Sequence, residues 1–155
     1  MFESRYRDCY KRYVMEPKLE TKPELRGVLD ELMRREPLFH RPEFGRTRED
    51  FEAMTAPEFW EVGASGRRYS RESVLDTVTK RYEDPDYKGI HSPPENEWMT
   101  KDLHCLEIAP DNYLLTYTLK QGERVTRRST IWRRVGRQWK ILYHQGTVVN
   151  EPIPE

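Results

Sequence analysis

From residue 98 onward the chain alternates apolar and polar positions with the period of two that marks strands. Residues 98–108 (WMTKDLHCLEI) form the first such run, and Pro110-Asp111-Asn112 is its turn. Residues 113–119 (YLLTYTL) follow, with Tyr113, Leu115, Tyr117 and Leu119 on one face. Gln121-Gly122 turns into residues 124–134, and Val135-Gly136-Arg137 turns into residues 139–145. Strands separated by such short turns are hairpins, so the pattern predicts an antiparallel meander.

Before residue 98 the period is helical. Thr21-Lys22-Pro23-Glu24 reads as a capping box with an early proline. The stripe Leu25, Val28, Leu29, Leu32, Met33 then predicts an amphipathic helix ending before Pro37. Thr47-Arg48-Glu49-Asp50 opens a second helix, with Phe51 and Met54 as its buried contacts and Pro57 as its end. Residues 58–63 (EFWEVG) predict a strand, Ala64-Ser65-Gly66 a turn and residues 67–69 a short return strand. Ser70 then caps a third helix whose buried stripe is Val74, Leu75, Val78 and Tyr82. Helices first and a meander second is an α+β layout. Residues 83–97 hold three prolines and a glycine, and read either as a plain connection or as a lid over a pocket. Residues 1–20, with Phe2, Tyr6, Tyr10 and Tyr13 at helical spacing, read as a leader that docks on the body or reaches a second subunit. The domain itself spans 21–149, and 150–155 is a tail.

Composition narrows the classes. The chain's 155 residues fit one domain. Aromatic residues at 12% are too many for a disordered chain. Lys+Arg and Asp+Glu are both 27, which argues against a whole-chain nucleic-acid footprint. Locally, residues 123–140 carry Arg124, Arg127, Arg128, Arg133, Arg134, Arg137 and Lys140 against Glu123 alone. That stretch reads as a solvated or dimer-facing sheet surface, or as an anion site. Cys9 and Cys105 stand far apart outside any CxxC pattern, which fits free thiols in a reducing compartment. No apolar run reaches membrane-spanning length and the first residues lack a signal-peptide core, so a cytoplasmic location is the default.

Several residues together resemble a known family. Phe59-Trp60-Glu61-Val62-Gly63-Ala64-Ser65-Gly66 precedes Tyr69 and a helix, and Ser129-Thr130-Ile131-Trp132 precedes a glycine turn, Trp139 and His144-Gln145-Gly146-Thr147. Over about residues 23–149 this is similar to a bacterial family of unknown function, of the SnoaL-like type, in the nuclear transport factor 2-like superfamily. The resemblance implies a cone formed by a curved antiparallel sheet packed on about three N-terminal helices (a cystatin-like roll), and dimerisation through the sheet. The superfamily includes ketosteroid isomerases, dehydratases and cyclases, so fold alone does not assign an activity. No residue here aligns with the isomerase's acidic and tyrosine pair. The leader before residue 21 and the long 83–97 loop depart from the family pattern.

The candidate chemistry centres on His144, which near neutral pH can act as acid or base. A regular hairpin turning on Gly136-Arg137 places Ser129 opposite His144, where the histidine could equally be structural. Glu61 and Asp102 are the carboxylates that could partner it, or else belong to a solvated face. Trp60, Trp98, Tyr117 and Trp132 could line a cavity or fill a core. The expected function is binding of a small, largely apolar molecule between helices and concave sheet, with Trp60, Trp98 and Trp132 as walls and Ser129 and His144 as polar contacts. The alternatives are an isomerase, dehydratase or cyclase using His144 with Asp102 or Glu61, and a homodimeric interaction module. No metal or other cofactor is expected. His40, His91, His104 and His144 lack ligand spacing, and Gly63-Ala64-Ser65-Gly66 matches neither a nucleophile elbow nor a phosphate loop.

Overall fold

Three helices pack with a six-stranded sheet whose first two strands precede the third helix, and the local signals that start each element differ in how they are used. In the computed structural model of the chain, residues 16–86 and 98–150 are described. The 83–97 lid reading and the aromatic leader therefore fall largely outside the described residues. A 3-10 turn over Pro23–Leu25 leads into α1 (Arg26–Met33), with Leu25 and Leu32 buried. The capping box expected at Thr21–Glu24 does not form. Lys22 takes the cap position without a side-chain bond, and the Thr21 hydroxyl accepts the Cys105 N–H at 3.0 Å instead. A strand amide in need of an acceptor wins over a helix amide that water can reach.

Thr47 does form a capping box at α2 (Arg48–Ala53). Its hydroxyl accepts the Asp50 N–H at 3.2 Å, and the Asp50 carboxylate accepts the N–H groups of Thr47 at 3.0 Å and Arg46 at 2.8 Å. The Arg46 and Thr47 amides, and then the Thr47 side chain, hold the Asp50 carboxyl below its usual range. The helix ends earlier than Pro57, which already lies in β1 (Thr55–Val62). After β2 (Arg68–Ser70), Ser70 caps α3 (Arg71–Glu83) by accepting the Ser73 N–H at 3.2 Å. Val74, Leu75 and Val78 bury one face of α3 against the sheet, as the stripe predicts.

The meander consists of β3 (Trp98–Ala109), β4 (Asn112–Gln121), β5 (Arg124–Val135) and β6 (Gln138–Val148). Its last two hairpins turn on Gly122 and Gly136, both at positive φ, a region that costs glycine nothing. The sheet order is β2-β1-β6-β5-β4-β3. All ladders are antiparallel except β1 with β6, which is parallel. Hairpin signals fix only partners adjacent in sequence. β1 and β6 are brought together from opposite ends of the domain, so no local signal could set their direction.

The core lies between the helices and the inner sheet face. Leu32, Phe51, Leu75, Leu115 and Ile141 have no solvent exposure. Tyr113, Leu115, Tyr117 and Leu119 of β4 are all buried, as the alternation predicts. Phe39 packs edge-on against Phe51 and Phe59, which seats the loop after α1 under the sheet. Replacing Thr47 by Ala removes half of the capping box, and the expected cost is about 1 kcal/mol. It should appear as a lower urea midpoint with an unchanged slope.

Candidate functional site

A cavity of about 320 Å³ opens between α3, the loop Leu38–His40 and the strands β1, β5 and β6. Strand register decides which side chains enter it. Glu61 of β1 is the parallel partner of His144 in β6, and His144 is the antiparallel partner of Thr130 in β5. One step further along, Arg128 stands opposite Gly146. Glu61, His144, Arg128 and Gly146 all line the cavity. α3 contributes Ser73, Thr77 and Arg81, Arg124 comes from the start of β5, and His40 comes from the loop.

The Ser129–His144 pairing expected from a regular hairpin does not occur. From Val135↔Gln138 to Trp132↔Ile141 the ladder is regular, and it then shifts by one between Ile131 and Trp132. Leu142 is the surplus residue of this β-bulge. Ser129 therefore pairs with Gln145, and Thr130 faces His144, with its Oγ1 2.9 Å from the imidazole Nδ1.

Behind Thr130 lies a carboxyl that sequence reasoning missed. Glu36 follows α1 and is fully buried. Its Oε2 accepts the Tyr117 hydroxyl at 2.7 Å and the Leu38 N–H at 3.0 Å, and its Oε1 accepts the Trp132 Nε1–H at 3.3 Å. The Thr130 hydroxyl adds a further side-chain hydrogen bond to this carboxyl. Burial pushes the Glu36 pKa up, while Thr130, Tyr117, the Arg128 charge and Trp132 pull it down. A buried carboxyl without such donors would be very costly.

The remaining expected site residues divide between core, surface and cavity. Tyr117 and Trp132 are buried in the core and bound to Glu36, and neither lines the cavity. Trp98 packs edge-on against His40 with the Arg41 guanidinium over its ring, so it lies behind the cavity wall. Trp60 is 43% exposed and packs on Tyr143, its register partner on the outer sheet face. Asp102 sits at a bulge in β3 with φ 58°, accepts the Thr118 hydroxyl at 2.9 Å and pairs with Arg127 at 3.3 Å. It does not join His144. Of the three expected acid–base residues, Glu61 and His144 share the cavity.

The electrostatics of the cavity follow from burial under arginines. Burial, then the Arg128 charge, pushes the His144 pKa down to about 3. Burial, then Arg128, Arg81 and Arg41, pushes that of His40 down to about 4. Burial raises the Glu61 pKa, with Arg128 and Arg81 opposing it. Strand alternation puts Arg127 and Arg133 on one face of β5 and Arg124, Arg128 and Arg134 on the other. Arg127, Arg133 and Arg134 make ion pairs with Glu16 and Asp102, Glu58 and Glu31 respectively. Half-buried Arg128 donates from Nε to Thr126 at 3.2 Å and makes no ion pair among the described residues. Val125, the apolar residue of 124–128, lies on the opposite face from Arg128, so alternation within this stretch gave no signal for the inward position of Arg128.

Among the described residues, no group of three or more His, Cys, Asp or Glu side chains is placed to hold a metal ion. Buried Cys105 is a poor nucleophile, because burial and then Glu107 push its thiol up to about 11. No helix among the described residues is long and apolar enough to cross a membrane.

No protein-family model matches the sequence, and neither does any curated protein sequence. Solved structures do match in shape. A nuclear transport factor 2-like protein from Cytophaga hutchinsonii superposes with a TM-score of 0.56 at 11% identity, over 83% of this chain and 100% of that one. A cystatin-like fold protein from Burkholderia xenovorans gives 0.58 at 14% identity, over 84% of this chain and 96% of that one. The chain has the nuclear transport factor 2-like fold. A candidate dehydratase of that fold family from Streptomyces avermitilis matches with a TM-score of 0.57 at 16% identity, over 83% and 96% of the two chains. The cavity described above lies between the helices and the inner sheet face.

The two buried histidines make stability depend on pH. Their folded pKa values, about 3 and about 4, lie below the ordinary 6.5, so the unfolded chain takes up protons first as pH falls. Their contribution is complete above pH 6.5 and is lost on acidification, by up to about 1.4 kcal/mol per pH unit for each. Raised Glu61 and Glu36 act in the opposite sense. Urea unfolding of wild type and His40→Gln at pH 4.5 to 7 cancels the carboxyl part. The wild type should lose stability more steeply below pH 6.5, and parallel curves would show that the fold does not hold His40 neutral.

Proposed function

We propose that the protein binds a small anionic organic molecule in the cavity between α3 and strands β1, β5 and β6. The observation that carries this reading is Arg128, a half-buried guanidinium that lines the cavity and makes no ion pair among the described residues. Arg124 and Arg81 add positive charge to the same wall, and the histidines beside them are neutral at pH 7. Glu61 is the opposing carboxyl, and its raised pKa reduces its cost to an incoming anion. The volume of about 320 Å³ suits a metabolite rather than a large apolar ligand. The expected aromatic walls stand elsewhere, so the largely apolar ligand gives way to a polar, charged one. A guanidinium favours a carboxylate or phosphate because its planar donors match two oxygens at once.

A second reading, proton transfer on that anion, rests on the register pair Glu61↔His144. Parallel neighbours put their backbones about 4.8 Å apart, so both side chains can address one ligand atom. With its pKa raised by burial, Glu61 is suited to take and return a proton, as in isomerase and dehydratase chemistry. The Streptomyces candidate dehydratase shares the fold and lends that chemistry a precedent of shape alone.

Calorimetry against a panel of small carboxylates and phosphate esters tests binding. Arg128→Met should weaken any binder at least about tenfold, the effect of losing one charge-assisted contact of roughly 1.4 kcal/mol. A panel without binders, or binders indifferent to Arg128→Met, would remove the reading. If a bound anion is turned over, Glu61→Gln should cut kcat by about a hundredfold or more while leaving its affinity nearly unchanged.

A further inference from the structure

Glu36 touches no cavity surface, yet a single hydroxyl connects it to His144. The Thr130 side chain is hydrogen-bonded to the Glu36 carboxyl and lies 2.9 Å from the His144 Nδ1. A threonine hydroxyl has one proton to give and lone pairs to receive. Whichever neighbour takes that proton, the other must donate to Thr130. The direction of the chain therefore fixes the tautomer of His144.

The surroundings of Glu36 set that direction. The Leu38 N–H and the Trp132 Nε1–H can only donate, and both point at this carboxyl. Tyr117 donates to it as well, and its phenol stays protonated because burial and the Glu36 charge push its pKa well up. These are three donors, and an ionised carboxylate has four acceptor sites, which leaves one for the Thr130 hydroxyl. Burial raises the Glu36 pKa, and these donors oppose that rise by favouring the carboxylate. The Arg128 guanidinium supplies compensating charge nearby. An ionised Glu36 takes the Thr130 proton. Thr130 then accepts from His144 Nδ1–H, and the ring, being neutral, carries a bare lone pair at Nε2. No described residue donates to Nε2, while His144 lines the cavity.

We propose that Glu36, acting through Thr130, holds His144 as the Nδ1–H tautomer, so that the cavity meets its ligand with an acceptor at Nε2 beside the cation of Arg128 and selects small hydroxy acids over the matching deoxy acids. The ligand half rests on the anion reading given above. The tautomer half stands without it. A ligand lacking the hydroxyl leaves a buried acceptor unpaired, which costs far more than the absence of a gained contact. Thr130 and Glu36 are positioning residues in this scheme, since neither reaches the cavity.

Nitrogen-15 NMR of the histidine rings in the unliganded full chain tests the tautomer, with His144→Gln providing the assignment. The expected spectrum at pH 7 shows His144 neutral and protonated at Nδ1. Protonation at Nε2 would overturn the proposal, because it means that the proton sits on Glu36 and the chain runs the other way. Thr130→Val should release the tautomer preference and Thr130→Ser should keep it, a distinction that a purely structural threonine would not produce. For the ligand half, calorimetry compares malate with succinate and 2-hydroxybutyrate with butyrate. A preference of at least tenfold for the hydroxy acid, lost in Thr130→Val, supports the proposal, and equal affinities overturn it. If no anion binds at all, the anion reading and the ligand half fall together. If Thr130→Val does not fold, the wild-type spectrum and the paired affinities still decide.

Discussion

Glu36 accepts hydrogen bonds from the loop it belongs to, from β4 and from β5, and it does so with no exposure to water. A carboxyl in that position cannot be satisfied later or from outside, so the loop after α1 must close against the sheet in one way. That closure sets Leu38, Phe39 and His40 along one wall of the cavity. Arg41 helps to hold it by donating from Nε to the Glu36 carbonyl at 2.9 Å. Removing one partner of a buried charge is expensive because the other remains stranded. The network therefore specifies a geometry more than it adds net stability, and the cavity inherits its shape from it.

The same economy of partners governs the charges around the cavity. Arg127 and Arg133 on the outer sheet face, and Arg134 beside Trp139, make ion pairs, whereas Arg128 makes none among the described residues and meets the Glu36 charge only at a distance. Two histidines nearby are kept neutral by burial and by those arginines, so they supply hydrogen bonding without further positive charge. Glu61 keeps a carboxyl within a cationic wall. The result is a small space with three arginines and one carboxylate on its wall.

The elements that sequence made legible are those with local causes. The cap at Ser70, the capping box at Thr47 and the inward face of β4 follow from hydrogen bonding and period within a few residues. The same locality explains the failures. Thr21 carries a cap signal, but its hydroxyl serves the Cys105 amide 84 positions away. The parallel β1/β6 ladder joins strands that share no turn. Trp132 and Tyr117 look like pocket aromatics because pocket and core use the same residue types, and only the position of Glu36 assigns them to the core. Glu36 itself stands between Arg35 and Pro37 in a charged segment, where nothing local marks it as buried. Glu61 and His144 were legible as candidates, while their pairing depended on long-range register.

Register also gives the β6 bulge a meaning beyond local geometry. The residues of β6 present alternate sets of side chains to the interior, and the surplus residue Leu142 selects the set containing His144 and Gly146. Without that offset the same letters would present Tyr143 and Gln145, exchanging an imidazole for a phenol and an amide with no substitution at all. For lineages sharing this fold, a one-residue insertion or deletion within the last strand is thus a change of chemical identity. Comparisons that align such chains column by column, with gaps confined to loops, would pair residues that stand on opposite sides of the sheet.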